Sequence, residues 1–220
     1  MTLARWKDLC LDASDPAAVA GFWAAALGLE PSTLDDGDVV LRGAAPEQTV
    51  WVNRVPEPKA TKNRVHPDLA RLPLELLVAA GGRVVRRESH AEHGWTVLTD
   101  PEGAEFCLFA EGPTALVVDS ADPVTDASWW AEVLGGRLVQ APGGLRRWVG
   151  DVPGLPFEVM KFVGVEDPRT VKNRMHVDVV SDAVPVLVAR GATVLREPGG
   201  SVEWHVLADP AGNEFCVFAP

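Results

Sequence analysis

The chain repeats itself, and that constrains its fold more than any other feature. DPEGAEFCLFA at 100–110 returns as DPAGNEFCVFA at 209–219. KNRVHPD at 62–68 returns as KNRMHVD at 172–178, and DASDPAAVAGFWAAALG at 12–28 as DSADPVTDASWWAEVLG at 119–135. The three blocks keep their order at offsets of 109, 110 and 107 residues. A period of that length is a domain, not a solenoid turn. The join falls in Glu111-Gly112-Pro113-Thr114, which reads as a loop. Two domains are therefore expected, 1–111 and 114–220.

Each copy carries one pattern twice. A short alternating strand opens the first copy at 7–13 and the second at 115–120. Asp15-Pro16 and Asp122-Pro123 read as an N-cap followed by proline at the first helical position. Gly28 and Gly135 are natural helix stops. Three short strands follow, at about 31–34, 38–43 and 48–55 in the first copy. The KNRxH block then begins a second round: strand, short helix ending at Gly81-Gly82 or Gly191, and three more strands. Each copy thus reads βαβββ twice, an α+β fold.

Composition narrows the partners. The formal net charge of −11 disfavours a phosphate backbone, so no nucleic acid is expected. The longest apolar run, 17–29, is too short to span a bilayer, so no membrane association is expected. Three scattered cysteines, Cys10, Cys107 and Cys216, describe neither a disulfide framework nor a structural zinc site, and a reducing cytoplasm is expected. Eight Trp and no Tyr suit either a packed core or a pocket for a flat apolar ligand.

The paired βαβββ units, the FW/WW…LG helix, the KNRxH block and the DPxGxEFC ending resemble the vicinal oxygen chelate superfamily. They are most similar to its glyoxalase-like, bleomycin-resistance and dioxygenase branch in the tandem actinobacterial form. The resemblance covers nearly the whole chain. It implies two tandem domains, each of two βαβββ modules making a curved mixed sheet around a cavity. It does not imply one reaction: members include metal-dependent lyases, isomerases and dioxygenases, and antibiotic-binding proteins. Single-domain relatives often dimerise, so a fused pair is expected to be a monomer or a loose homodimer.

The metal-using members take one ligand from each of four cavity strands. By motif, the first copy offers Asp8, a residue within 50–53, His66 and Cys107 at these positions. The second offers Ala115, Glu158 from the strand that supplies the second position, His176 and Cys216. Ala115 cannot ligate, and cysteine stands where the metal enzymes carry glutamate. No cofactor is therefore expected; if a divalent metal is held, His66 and His176 are its ligands.

Alternation assigns the cavity faces, because residues i and i+2 of a strand share a side. Asp8, Cys10 and Asp12 fall together, as do Val117 and Asp119, His176 and Asp178, Glu105 and Cys107, and Glu214 and Cys216. His66, His176, Asp178, Asp8, Asp12 and Asp119 are the candidates for acid–base catalysis. Trp51, Trp95, Trp148, Phe157, Glu158, Trp204, Glu105 and Glu214 are the candidates for holding substrate. The structural alternative is that Asp12 and Asp119 serve helix N-termini, and that Glu105 and Glu214 accept from the Lys-Asn-Arg blocks. Pro67 removes an N–H and weakens its strand. His90 and His93 read as exposed loop residues.

Two readings of the function stand nearly level. One is an enzyme (lyase or dehydratase, isomerase or cyclase) acting on a hydrophobic cyclic metabolite without an obligatory metal. The other is a protein that binds an antibiotic or similar aromatic molecule without changing it. A metal-dependent glyoxalase-type lyase or dioxygenase is a third.

Overall fold

The computed structural model describes residues 2–88, 94–140, 146–167 and 170–220. His90 and His93 lie outside the described residues. Four βαβββ modules follow one another. The first is β1 (Arg5–Ala13), α1 (Pro16–Leu27), β2 (Glu30–Thr33), β3 (Val39–Arg42) and β4 (Val50–Arg54). The second is β5 (Val65–Ala70), α2 (Leu74–Ala79), β6 (Arg83–Arg86), β7 (Trp95–Thr99) and β8 (Glu105–Phe109). The third is β9 (Ala115–Ser120), α3 (Pro123–Leu134), β10 (Arg137–Gln140), β11 (Arg146–Gly150) and β12 (Val159–Gly164). The fourth is β13 (Met175–Val180), α4 (Val184–Ala189), β14 (Thr193–Arg196), β15 (His205–Ala208) and β16 (Glu214–Phe218).

The local signals act as the residues dictate. Asp15 and Asp122 each accept a backbone N–H of the first turn, from Ala18 and Thr125. Gly28 and Gly135 close the helices in the left-handed conformation, at φ of 68° and 70°, where a side chain is penalised. The DPxG segment is a turn held by its own aspartate: Asp100 Oδ1 accepts from the N–H of Glu102 and of Ala104. Gly103 takes φ 87° there, as Gly212 does in the second copy.

The modules form two eight-stranded mixed sheets. Each sheet contains two modules, but the two come from different copies. One runs β14-β15-β16-β13-β1-β4-β3-β2, joining the first module to the fourth. The other runs β10-β11-β12-β9-β5-β8-β7-β6, joining the second to the third. The seams are antiparallel pairings of the opening strands, β1 with β13 and β5 with β9.

Helices tie each copy across the two sheets. α1 packs on β3 and β4 of its own sheet, and Phe22 and Trp23 also meet Phe106 of β8 in the other sheet, at 5.5 and 5.4 Å between rings. Trp129 and Trp130 of α3 meet Phe215 of β16 in the same manner, at 5.7 and 5.3 Å. Each helix closes this contact with a buried hydrogen bond from tryptophan to the turn aspartate, Trp23 to Asp100 and Trp130 to Asp209. Those aspartates are thus structural, and burial raises both carboxyls above the usual range. No helix of the described residues is long and apolar enough to cross a membrane.

Candidate functional site

Strand register builds two equivalent sites. Partners in register project from the same side of a sheet. On the first sheet a row crosses four strands, His176 (β13), Cys10 (β1), Trp51 (β4) and Val40 (β3). Asp8, Asp178 and Cys216 form the next row, Asp178 standing opposite Asp8 on one side and Cys216 on the other. On the second sheet the corresponding row is His66 (β5), Val117 (β9), Lys161 (β12) and Trp148 (β11).

Cross-copy pairing regroups the candidates. Asp8 shares a site with His176, Asp178 and Cys216, not with His66 and Cys107. Trp51 and Trp204 belong to the first sheet, Trp95 and Trp148 to the second. Glu158 precedes β12 on the exposed surface, where it binds Arg71 and Thr114 and faces neither site. Phe157 is a core residue. Asp12 and Asp119 accept from lysine instead of from helix N-termini, in pairs that cross the copies: Lys172 to Asp12 and Lys62 to Asp119, both at 2.6 Å. Glu214 accepts the Asn173 N–H at 3.2 Å, so it braces the Lys-Asn-Arg loop. Glu105 lies near enough to His66 for its charge to act on the imidazole, as Glu214 does on His176.

The first site is a compact cluster of acids, thiols and imidazole. His176 Nε2 lies 3.4 Å from Asp178 Oδ1 and 3.5 Å from Cys216 Sγ. The Cys10 thiol donates to Asp178 Oδ2 at 3.4 Å. Asp8 Oδ2 accepts from Trp51 Nε1 at 3.1 Å and from Lys7 Nζ at 2.5 Å. Lys7 also lies 4.2 Å from the centre of the Phe218 ring, on which Trp204 stacks at 5.0 Å. Oδ1 of Asp8 and of Asp178 are buried without a hydrogen-bond partner among the described residues.

Burial sets the protonation states here, because it disfavours charge. It raises the Asp178 carboxyl well above the usual range, and neighbouring Asp8 adds to the shift. It lowers His176, although the surrounding carboxylates oppose it. It raises both thiols, Cys10 with the help of Asp178 and Asp8, and Cys216 with that of Asp178. Burial thus favours the uncharged form of the imidazole, of the Asp178 carboxyl and of the thiols around them.

The second site has the same skeleton and different chemistry. His66 Nε2 lies 3.7 Å from Asp68 Oδ1, and burial lowers this imidazole too. Ala115 and Val117 stand where the first site has Asp8 and Cys10. Lys161, three residues beyond the Glu158 that the family resemblance singled out, stands where it has Trp51. A lysine inside the apolar strand VMKFV was the available signal. Pro67 also leaves its mark: β13 and β16 are in register through Val177–Val180, whereas β5 and β8 pair through Leu69 and Ala70. The Cys107 N–H bonds instead to the Asp68 carboxylate, at 3.1 Å. The equivalent carboxyl of Asp178 remains with Cys10 and His176.

Metal fit differs between the two. Cys10, His176 and Asp178 can each offer one atom within 4.8 Å of the others, and a thiolate, imidazole and carboxylate set suits zinc. On the second sheet Val117 stands in place of Cys10 and Ala115 in place of Asp8, and the set does not fit. Sizeable clefts lie elsewhere. One of about 350 Å³ sits between the Lys-Asn-Arg loops of the two copies, and one of about 550 Å³ lies beside Asp119, Asp126 and Ala211.

Four βαβββ modules in two eight-stranded sheets, with a histidine on an opening strand of each, define a glyoxalase-type fold. The glyoxalase-like domain model matches twice, over residues 8–109 and 115–218, and the chain belongs to that family. Among solved structures it is similar to glyoxalase I from Zea mays, with a TM-score of 0.66 at 13% identity, covering 97% of this chain and 92% of that one. It is also similar to a proposed dioxygenase from Bacillus subtilis subsp. subtilis str. 168 (TM-score 0.63, 11% identity, 99% and 86% covered). The cppA protein from Streptococcus pneumoniae TIGR4 is a further likeness (0.53, 10%, 100% and 99%). At these identities the likeness is one of fold. No curated protein matches the sequence.

Proposed function

We propose that the first site catalyses proton transfer on a hydrophobic, cyclic small molecule, as an isomerase, cyclase or lyase of the dehydratase kind. The observation that carries this reading is the contact of His176 with Asp178, 3.4 Å apart, inside a buried cluster that also holds Asp8. A base and an acid held side by side can remove a proton from carbon and return one to a carbonyl or leaving oxygen. His176 is the base and Asp178 the acid. Trp51, Trp204 and Phe218 form apolar walls for the substrate, and Asp8, fixed by Lys7 and Trp51, positions Asp178.

A zinc ion bound by Cys10, His176 and Asp178 would polarise a carbonyl or activate water. That is the second reading, supported by the convergence of the three donors. The third is sequestration, which needs the aromatic walls alone.

The test is solvent exchange. The protein is incubated in D2O with a panel of cyclic ketones, and deuterium at the carbon beside the carbonyl is followed by NMR. Exchange in the wild type that disappears in His176→Ala supports catalysis. Ligand that binds and returns without deuterium supports sequestration and overturns the proposal.

A further inference from the structure

We propose that the cleft between the two Lys-Asn-Arg loops is a binding site for a small organic dianion with an apolar body, one anionic end at Lys62 and the other at Lys172. This inference goes beyond the reaction proposed for the first site and does not rest on it.

Strand pairing sets the two loops side by side. The Asp12 N–H donates to the Arg174 carbonyl and the Asp119 N–H to that of Arg64, both at 2.7 Å, so each loop is anchored on the other copy. Between the loops lies the cleft of about 350 Å³, within the range of ligand pockets, about 300 Å³ upwards. It shares no residue with the rows that carry His176 and His66. Lys62, Arg64, Lys172 and Arg174 line it, and Glu57 is the acid among its described lining residues. Four cations meet here in a chain whose formal net charge is −11. A cleft lined by one sign of charge concentrates ligands of the other.

The lysines are held with their charge toward solvent. Their side chains are 50% and 55% exposed, over partners that are buried, Asp119 at 2% and Asp12 at 8%. Neither aspartate lines the cleft. An ammonium has three donors, so the bond to aspartate leaves each lysine able to donate to a ligand as well. Arg64 and Arg174 fix the loops instead: Arg64 donates to the Asp167 carbonyl, and Arg174 to the Glu57 carbonyl and to Glu102. The Glu57 carboxylate lies 3.8 Å from Lys172, and a ligand anion takes its place there. Asn63 adds a donor at the other end. It is only 8% exposed, and it lines both the cleft and a small recess toward Ala104. Its counterpart Asn173 donates to Asn213 at 2.9 Å. Ala104 stands at that position in the first copy and offers no side-chain acceptor. Pro58, Ala60 and Val171 supply apolar walls for the body of the ligand.

The test uses terephthalate, the monoacid 4-(hydroxymethyl)benzoate and the neutral 1,4-benzenedimethanol, followed by line broadening of their aromatic NMR signals with the intact chain at low salt. The diacid is expected to bind about tenfold more tightly than the diol, with the monoacid between them, as two exposed charge contacts would give. Lys62→Gln and Lys172→Gln are each expected to lose about threefold in diacid affinity and to bind the diol as the wild type does. Glu57→Gln removes the competing carboxylate and is expected to gain about threefold. Thr61→Trp fills the cleft without removing an ion pair. It serves if the lysine variants do not fold, and it is expected to abolish diacid binding, whereas His66→Ala and His176→Ala leave it unchanged. Lack of broadening of millimolar diacid by the wild type overturns the proposal. So does a diacid that binds no more tightly than the monoacid or the diol, or an affinity unchanged in Thr61→Trp.

Discussion

Asp8 and Asp178 stand directly opposite each other where β1 pairs with β13, and they belong to different copies of the repeat. Two carboxyls so placed, both buried, cannot both carry charge without destabilising the fold. Lys7 and Trp51 hold Asp8 by hydrogen bonds, and burial together with Asp8 raises the Asp178 carboxyl. Asp178→Asn keeps the shape and removes the conflict. It is expected to stabilise the protein by about 1 kcal/mol, within the range found when strained functional sites are relieved. It should abolish exchange on substrate. Urea denaturation beside the NMR exchange assay reads both effects.

The two histidines are expected to part company. His176→Ala should slow deuterium exchange by about 10²- to 10⁴-fold, the usual share of a positioned base. His66→Ala should leave exchange within about twofold, because His66 lies on the other sheet. Equal losses in both variants would place the reaction at both faces.

Chelation separates the proton-transfer reading from the metal reading. Prolonged treatment with EDTA is expected to leave exchange unchanged. If the protein as purified holds stoichiometric zinc, and activity falls with its removal and returns on adding it back, the reaction runs through the Cys10, His176 and Asp178 set instead.

Asp126 gives a pH-dependent stability. It is buried in α3, accepts from the Ser120 hydroxyl, and burial raises its carboxyl to about 6. The folded chain therefore holds this proton at pH values where the unfolded chain, with an ordinary carboxyl near pH 4, has released it. The stabilisation is full below about pH 4 and is lost as pH rises through 6. Asp126→Asn should flatten that part of the curve and raise stability at pH 7. Melting temperatures of both proteins from pH 4 to 7 test this, and parallel curves would contradict it.

Much of this fold was legible in the sequence because the signals are local. Asp15, Asp122, Gly28 and Gly135 announce helix ends by their own backbone chemistry. The alternation in Asp8-Leu9-Cys10-Leu11-Asp12 also sets the faces of β1 correctly. Choice of strand partner is not local. The segments KNRVH and KNRMH present nearly the same edge and the same side-chain alternation, so β1 could pair with β5 or with β13. What decides is helix packing, α1 against Phe106 and α3 against Phe215, which holds each copy across both sheets. The candidate site was legible as a list and not as groups. Asp8 could be placed on a cavity face, but its meeting with Asp178 depended on that partner choice. Glu158 stands one residue before β12, on the exposed surface, and Lys161 takes the strand position opposite Val117.

Pairing across copies gives each site a mixed inheritance. After duplication, a change in one copy alters half of one site and leaves its counterpart in the other untouched. One combination unites Asp8, Cys10 and Trp51 with His176 and Asp178. The other unites Val117 and Lys161 with His66 and Asp68. Two such halves on separate, identical chains would have had to make two identical sites. Joined in one chain, they were free to diverge, one toward a cluster of acids and thiols and the other toward a buried lysine.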